Sequence, residues 1–323
     1  MRLIMKKKSN ISALAMFYTN YGVFFILLLV IIGASFCSDK FLTVNNLLGV
    51  INQNCLTAIM ACGMTMLLIS ANMDLACGQA MVMANVMCAL VLTTTGNVLL
   101  AIAAAILTAV IAETANGYII SYLGLNGFIA TLAMKFVFEG IGYLLVGGTP
   151  IYGTPKITFL AQTQILGVIP ILIVFMLICA VVTHFVLTRT SFGRYIYAIG
   201  GNKEAAQSAG INVKMMVLLN FVVMGVFVGI TAVLYTARAN SGQPAGSDLT
   251  FDAIIATVLG GTSMAGGAGM VAGTIAGALV VGIINNIMNL AGVSVYYQSI
   301  VKGVIIFLAI LLDKKTRDTI MKV

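Results

Sequence analysis

Apolar residues run in long unbroken stretches along this chain rather than alternating with polar ones. From Tyr21 to the C-terminus, runs of about 17 to 25 apolar residues recur with short interruptions, the length that carries a helix across a ~30 Å hydrocarbon core. Stretches such as ILGVIPILIVFMLICAVV lack the alternation of a membrane barrel strand. Helices are then the remaining way to satisfy every backbone group in lipid. The pattern predicts an all-α polytopic transmembrane helix bundle in one domain, residues 1–323. Its ten crossings are centred in Tyr21–Cys37, Asn54–Ala71, Cys77–Leu92, Val98–Ile120, Phe128–Val146, Ile165–Leu187, Met215–Ala237, Asp252–Ala268, Val271–Leu290 and Ser299–Leu312. The third, eighth and ninth are the weakest. Glycines 260, 261, 266, 267 and 269 equally suit broken or re-entrant helices, giving eight full crossings and two half-helices as the alternative.

Composition agrees with that setting. The chain is 61% hydrophobic and 8% charged, and its mean hydropathy is +1.09, far from a soluble domain. With the N-terminus inside, twelve of the seventeen Lys and Arg residues fall on the cytoplasmic side. They are Arg2, Lys6, Lys7 and Lys8; Arg189, Arg194, Lys203 and Lys214; and Lys314, Lys315, Arg317 and Lys322. Both termini are therefore expected in the cytoplasm, and the first apolar run reads as a retained helix rather than a cleaved signal. The net charge of +8 is explained by this topology and by anionic lipid, without nucleic acid.

Candidate chemistry is sparse. The six cysteines, Cys37, Cys55, Cys62, Cys77, Cys88 and Cys179, form no CxxC pair and read as small core residues. His184 is the single histidine, so no metal site is expected around it, and no cofactor is expected at all. Polar residues at membrane depth are more informative: Asn85, Glu113, Asn116, Asn220, Asn285, Asn286 and Asn289 must face other helices or an aqueous passage. Asn285 and Asn289 share a helical face with Asn286 beside them, and with Asp252 they make the candidate translocation path; clamping of two helices by these amides is the competing reading. Lys135 and Glu139, four apart, are expected to form an ion pair. Glu113 has no evident partner and would be the site of ion coupling if there were one.

Two further features bear on function. DLACGQAMVMANVMCALV (74–91) and SMAGGAGMVAGTIAGALV (263–280) align without a gap at seven identities in eighteen positions, a weak internal repeat of the kind transporters build on. Between two apolar runs lies RTSFGRYIYAIGGNKEAAQSAGINV (189–213), the longest polar passage. Its GNKEAAQSAG is expected to form a short helix after a Gly-Gly-Asn turn and before Gly210. There is no GxxxxGK[ST] loop in the chain, so P-loop ATP hydrolysis is excluded. A rigid cytoplasmic knob over 188–214 suits docking to a partner.

GRYIYAIGGNKEAAQSAGINV, GGTSMAGGAGMVAGTIAGALVVGIINN and GVSVYYQSIVKGVIIFLAILLD resemble the permease subunits of bacterial ATP-binding-cassette (ABC) importers for ribose, xylose, galactose and related sugars, including autoinducer-2 importers. The resemblance covers nearly the whole chain and is strongest over 193–313. It implies a multi-pass permease of the bacterial inner membrane that is not itself an enzyme. It also implies three partners: an ABC ATPase subunit, a periplasmic sugar-binding protein, and a second permease copy or paralogue forming a dimer. By the same resemblance Gly193, Arg194, Gly200, Gly201, Asn202, Glu204, Ala205, Ala206 and Gly210 form the ATPase-coupling loop. The chain departs from the family's usual Gly-Ile-Asp-Leu-Ser-x-Gly at Asn72, Met73, Asp74, Leu75, Ala76, Cys77 and Gly78, and its GGAGM lacks the usual basic residue. An ion- or proton-coupled secondary carrier, working through Glu113 or Glu139, and a branched-chain amino acid permease are the alternatives.

Overall fold

A computed structural model describes residues 22–38, 40–244, 249–294, 296–305, 307, 308 and 311. The basic clusters at positions 2–8 and 314–322, on which the placement of the termini rests, lie outside the described residues. The helices are α1 (Gly22–Cys37), α2 (Val44–Ile69), α3 (Cys77–Thr95), α4 (Val98–Ser121), α5 (Gly127–Val146), α6 (Phe159–Gln162) and α7 (Ile171–Arg189). They continue with α8 (Ser191–Gly201), α9 (Lys203–Ser208), α10 (Val213–Ala239), α11 (Leu249–Leu259), α12 (Val271–Leu290) and α13 (296–305). Seven of them, α2, α3, α4, α5, α7, α10 and α12, are long and apolar enough to cross a membrane.

Local sequence sets many of the boundaries. Thr43, Asn97, Asn126, Thr190, Asn202 and Asn212 each accept a backbone N–H of the first turn that follows, before α2, α4, α5, α8, α9 and α10. These polar caps satisfy donors that a helix start leaves open. Gly96 and Gly147 end α3 and α5 in the left-handed conformation that glycine adopts at little cost. Two strand pairs of two residues each, β1 (Ile151–Tyr152) with β4 (Ser241–Gly242) and β2 (Gln164–Ile165) with β3 (Ile169–Pro170), tie the loops together.

The core is built on α2, α3 and α10, with α4 along α3 and α10, and with α11 and α12 on the other side of α2. α5 and α7 turn much of their apolar surface outward, as helices that face lipid do. A smaller apolar cluster, Ala34, Phe41, Val50 and Ile283, holds α1 to α2 and α12.

Two predicted crossings need revision, the eighth and the sixth. The eighth, Asp252–Ala268, is half a crossing: α11 has eleven residues, ends at Leu259, and gives way to an irregular stretch over 260–270. The third and ninth, also weak in sequence, are continuous helices. The sixth begins later than expected, because 164–170 form the β2–β3 hairpin and α7 starts at Ile171. α3 starts inside the bundle, where Gly78 N donates to Thr250 Oγ1 (2.9 Å) at the start of α11. Two helix beginnings therefore meet at depth.

Candidate functional site

The polar insert folds as two helices rather than one. α8 carries SFGRYIYAIGG, so Gly200 and Gly201 close a helix instead of making a turn, and Asn202 is the break. α9 follows as expected, with Asn202 Oδ1 accepting from Ala205 N (2.9 Å) and Gly210 in the left-handed region behind it.

The insert has two faces. On the inner one, Ile196, Ile199 and Ala206 are buried. Gly193 lies so close to the end of α7 that a methyl group there would overlap the Leu187 carbonyl oxygen. Gly200 is tighter still: a methyl group would overlap the Ile69 carbonyl oxygen and stand 2.5 Å from Gly267 N. That nitrogen donates to Ile69 O (2.8 Å), and Tyr197 Oη donates to Gly269 O (2.7 Å). One seam thus joins α8, the end of α2 and the 260–270 break. On the outer face Arg194, Gly201, Asn202, Glu204, Ala205 and Gly210 are exposed; Arg194 donates to Ser191 Oγ (2.7 Å), and nothing stands within 4 Å of the space above Gly201. Of the coupling residues expected from sequence, Gly193, Gly200 and Ala206 therefore serve the seat, and the other six are presented.

The path candidates sit elsewhere. Asp252, in the first turn of α11, forms an ion pair with Lys302 of α13 (3.1 Å). Asn286 exchanges two amide hydrogen bonds with Asn46, both 3.1 Å. Asn289 Oδ1 accepts from Gln298 Nε2 (2.8 Å), while Asn285 is half-buried. The asparagines lie toward the end of α12 remote from the insert, and α13 straps both α11 and α12.

Several partners were invisible in the sequence. Lys135 does not pair with Glu139; its ammonium lies 5.7 Å from the ring centroid of Phe251 on α11. Glu113 has neighbours after all: Asn116 Nδ2 donates to its Oε2 (3.0 Å), and its carboxyl adjoins that of Asp74, which is also fully buried. Asp74 Oδ1 accepts from Ala76 N (2.8 Å). The remaining oxygens, Asp74 Oδ2 and Glu113 Oε1, have no hydrogen-bond partner among the described residues. Asn220 donates to Met66 O and Ser70 Oγ (both 2.9 Å), so it stitches α10 to α2. The small pairs Gly200-Gly201 and Gly266-Gly267 were the one sequence signal for the seam, since close approach of two backbones requires such residues.

Comparison with known proteins decides the family. Residues 46–310 match the family model described as "Branched-chain amino acid transport system / permease component". The chain belongs to this permease family. The ribose import permease protein RbsC of Escherichia coli K12 is 37% identical to the permease over 298 residues, 90% of this chain and 92% of the relative. The D-allose transport system permease protein AlsC of the same strain is 34% identical, with 93% of each chain covered. The L-arabinose transport system permease protein AraH of that strain is 31% identical, covering 92% of this chain and 91% of the relative. No solved structure matches the permease. Relatives named as sugar permeases, at this identity and length, support the sugar permease over the ion-coupled carrier.

Proposed function

We propose that this chain is the permease subunit of an ABC importer that moves a ribose-like monosaccharide across the bacterial inner membrane. Alternating access would be driven by ATP hydrolysis on a separate ATPase subunit. The observation that carries the reading is a rigid two-helix insert, bare on one face and locked by the other to α2 and the 260–270 break, in a chain whose relatives are sugar import permeases. A pull on the presented face is transmitted through backbone contacts, which do not yield as flexible side chains do. In this reading 188–214 is the cytoplasmic coupling loop, the termini are cytoplasmic, a binding protein delivers sugar at the opposite end, and a second permease copy or paralogue completes the complex. The internal repeat, which sets the start of α3 against the 260–270 break and the start of α12, fits two related halves.

The test separates docking from folding. Glu204→Lys and Gly201→Trp change only the presented face; each is expected to abolish sugar uptake while the permease reaches the membrane at normal yield. Co-purification of the ATPase subunit with either variant at the wild-type ratio overturns the role assigned to the insert.

Asp252, Asn285, Asn286 and Asn289 are proposed to border the sugar path, their pairings with Lys302, Asn46 and Gln298 being the contacts that change as it opens. Single cysteines at 285 and 289, in a variant lacking the six native ones, are expected to react with a membrane-impermeant thiol reagent to an extent that depends on nucleotide bound to the ATPase. No reaction in any state assigns these amides to helix clamping.

A further inference from the structure

Beside the insert lies a cavity of about 660 Å³ that the transport reading leaves unused. It sits between the end of α2, the turn joining α4 to α5, and the run from α8 to the start of α10. Its lining is two-sided in character. Lys203 and Lys214 contribute two cationic groups, and among the described residues no carboxylate lines the cavity to neutralise them. Asn72 and Gln207 add amide groups that can donate, while Ile120, Leu125 and Val217 make apolar wall. The starts of α5 and α10 both line it, at Gly127 and Val213, and each adds the positive end of a long helix to the same space. Tyr122 also lines it, stacked on Tyr118 (ring centroids 5.3 Å apart) with Lys214 Nζ 5.9 Å from its own ring centroid. Paired tyrosines beside a lysine at the end of a spanning helix are what the boundary between hydrocarbon and water favours.

A cationic mouth over apolar wall at that depth suits an amphipathic anion. A free sugar or nucleotide gains nothing from the apolar part, and an uncharged lipid gains nothing from the lysines. We propose that this cavity holds the phosphate of an anionic phospholipid, drawn from the leaflet on the insert's side, with the headgroup on Lys203 and Lys214 and the glycerol end against Ile120 and Leu125. Basic pockets between spanning helices at a membrane surface take such headgroups. Because Lys203 opens α9 while Tyr122 and Leu125 belong to the end of α4 and the turn after it, the bound lipid bridges the insert to the end of α4.

The experiment uses the absence of tryptophan from the chain. Tyr122→Trp places a single tryptophan, excited selectively above the tyrosines, at the cavity in the full-length permease, reconstituted in phosphatidylcholine vesicles. Phosphatidylglycerol with brominated acyl chains is titrated in, and brominated phosphatidylcholine serves as the comparison. Preferential, saturable quenching by the phosphatidylglycerol is expected. In Lys203→Gln/Lys214→Gln the mole fraction needed should rise about thirty-fold, since each lysine at an anionic surface contributes roughly a factor of five. Lys203→Arg/Lys214→Arg should keep the preference, which separates loss of charge from loss of fold. Equal quenching by the two lipids, or an undiminished preference in the glutamine variant, overturns the proposal. Relief of quenching by millimolar inorganic phosphate in the buffer would make free phosphate the occupant and overturn the lipid as its source.

Discussion

Two interruptions of regular helix, 70–76 between α2 and α3 and 260–270 between α11 and α12, solve the same problem by opposite means. Backbone groups freed inside a bundle must find partners or be costly. At 70–76 side chains supply them: Thr131 Oγ1 accepts from Leu75 N (3.1 Å), Asp74 Oδ1 from Ala76 N, and Asn220 reaches Ser70 and Met66. At 260–270 the residues are nearly all small, and backbone packs on backbone. Gly273 meets the Gly260 carbonyl, Gly277 the Ala256 carbonyl, and Gly266 stands over Gly200, a methyl built on it lying 2.8 Å from Gly200 Cα. Polar stitching tolerates small changes of shape, because side chains rotate; a glycine seam does not. The seam is also the part joined to the insert. The difference leaves 260–270 locked to α8 as one unit, and 70–76 held by side chains.

Substitutions can break that contrast, and the largest effect is expected at the seam. Gly200→Ala sets a methyl group against two backbones, an overpacking cost of about 3 kcal/mol, whereas Gly201→Ala, one residue on, enters open space. Thermal unfolding of the detergent-solubilised permease should show a large loss for the first and almost none for the second; equal losses would mean that α8 is not seated as described. Next comes the polar break. Glu113→Ala leaves the buried Asp74 carboxyl without its neighbour and should cost about 2 kcal/mol, while Glu113→Gln, which still offers an amide donor to Asp74, should cost much less. The same melting measurement checks both, and a Gln variant as unstable as the Ala one would mean that residue 113 contributes no polar contact to Asp74. The smallest effect is expected from Thr131→Val, which keeps shape and removes the acceptor for Leu75 N, about 1 kcal/mol. Hydrogen exchange at Leu75 should rise in this variant with little change at Gly267.

Much of this architecture was legible in the sequence, and what escaped has a physical pattern. Run length alone located the spanning helices, because bilayer thickness fixes how many residues are needed. The insert announced itself by polarity, and α9 by its cap and its closing glycine. The helical state of Gly200 and Gly201 did not, since glycine normally breaks a helix; what selects it here is the approach of Ile69 and Gly267, distant in sequence. The partners of Glu113 and Lys135 escaped for a related reason. A local rule offered Glu139 to Lys135 at i+4, but the bundle brought Phe251 over it instead, and Asp74 was hidden from Glu113 by a sequence separation of thirty-nine. The eighth crossing failed because Asp252–Ala268 has the composition of a span while its glycines serve close packing rather than continuity.

The shortness of α11 has a consequence for how the chain is made. Eleven residues of helix extend about 16 Å, roughly half of a bilayer core. A newly synthesised segment of that length has no independent reason to stay in lipid, and its two ends carry Asp252 and a run of glycines. Its burial depends on α2, made some two hundred residues earlier, and on α12, which emerges after it. Membrane insertion of this protein cannot then be a simple procession of helices in order of synthesis. α11 must wait at the surface, or in the care of the insertion machinery, until α12 arrives and the pair enters as a hairpin against the waiting α2. A chain truncated before Val271 and released from the ribosome should leave Asp252 accessible from the aqueous side, with the earlier spanning helices in place.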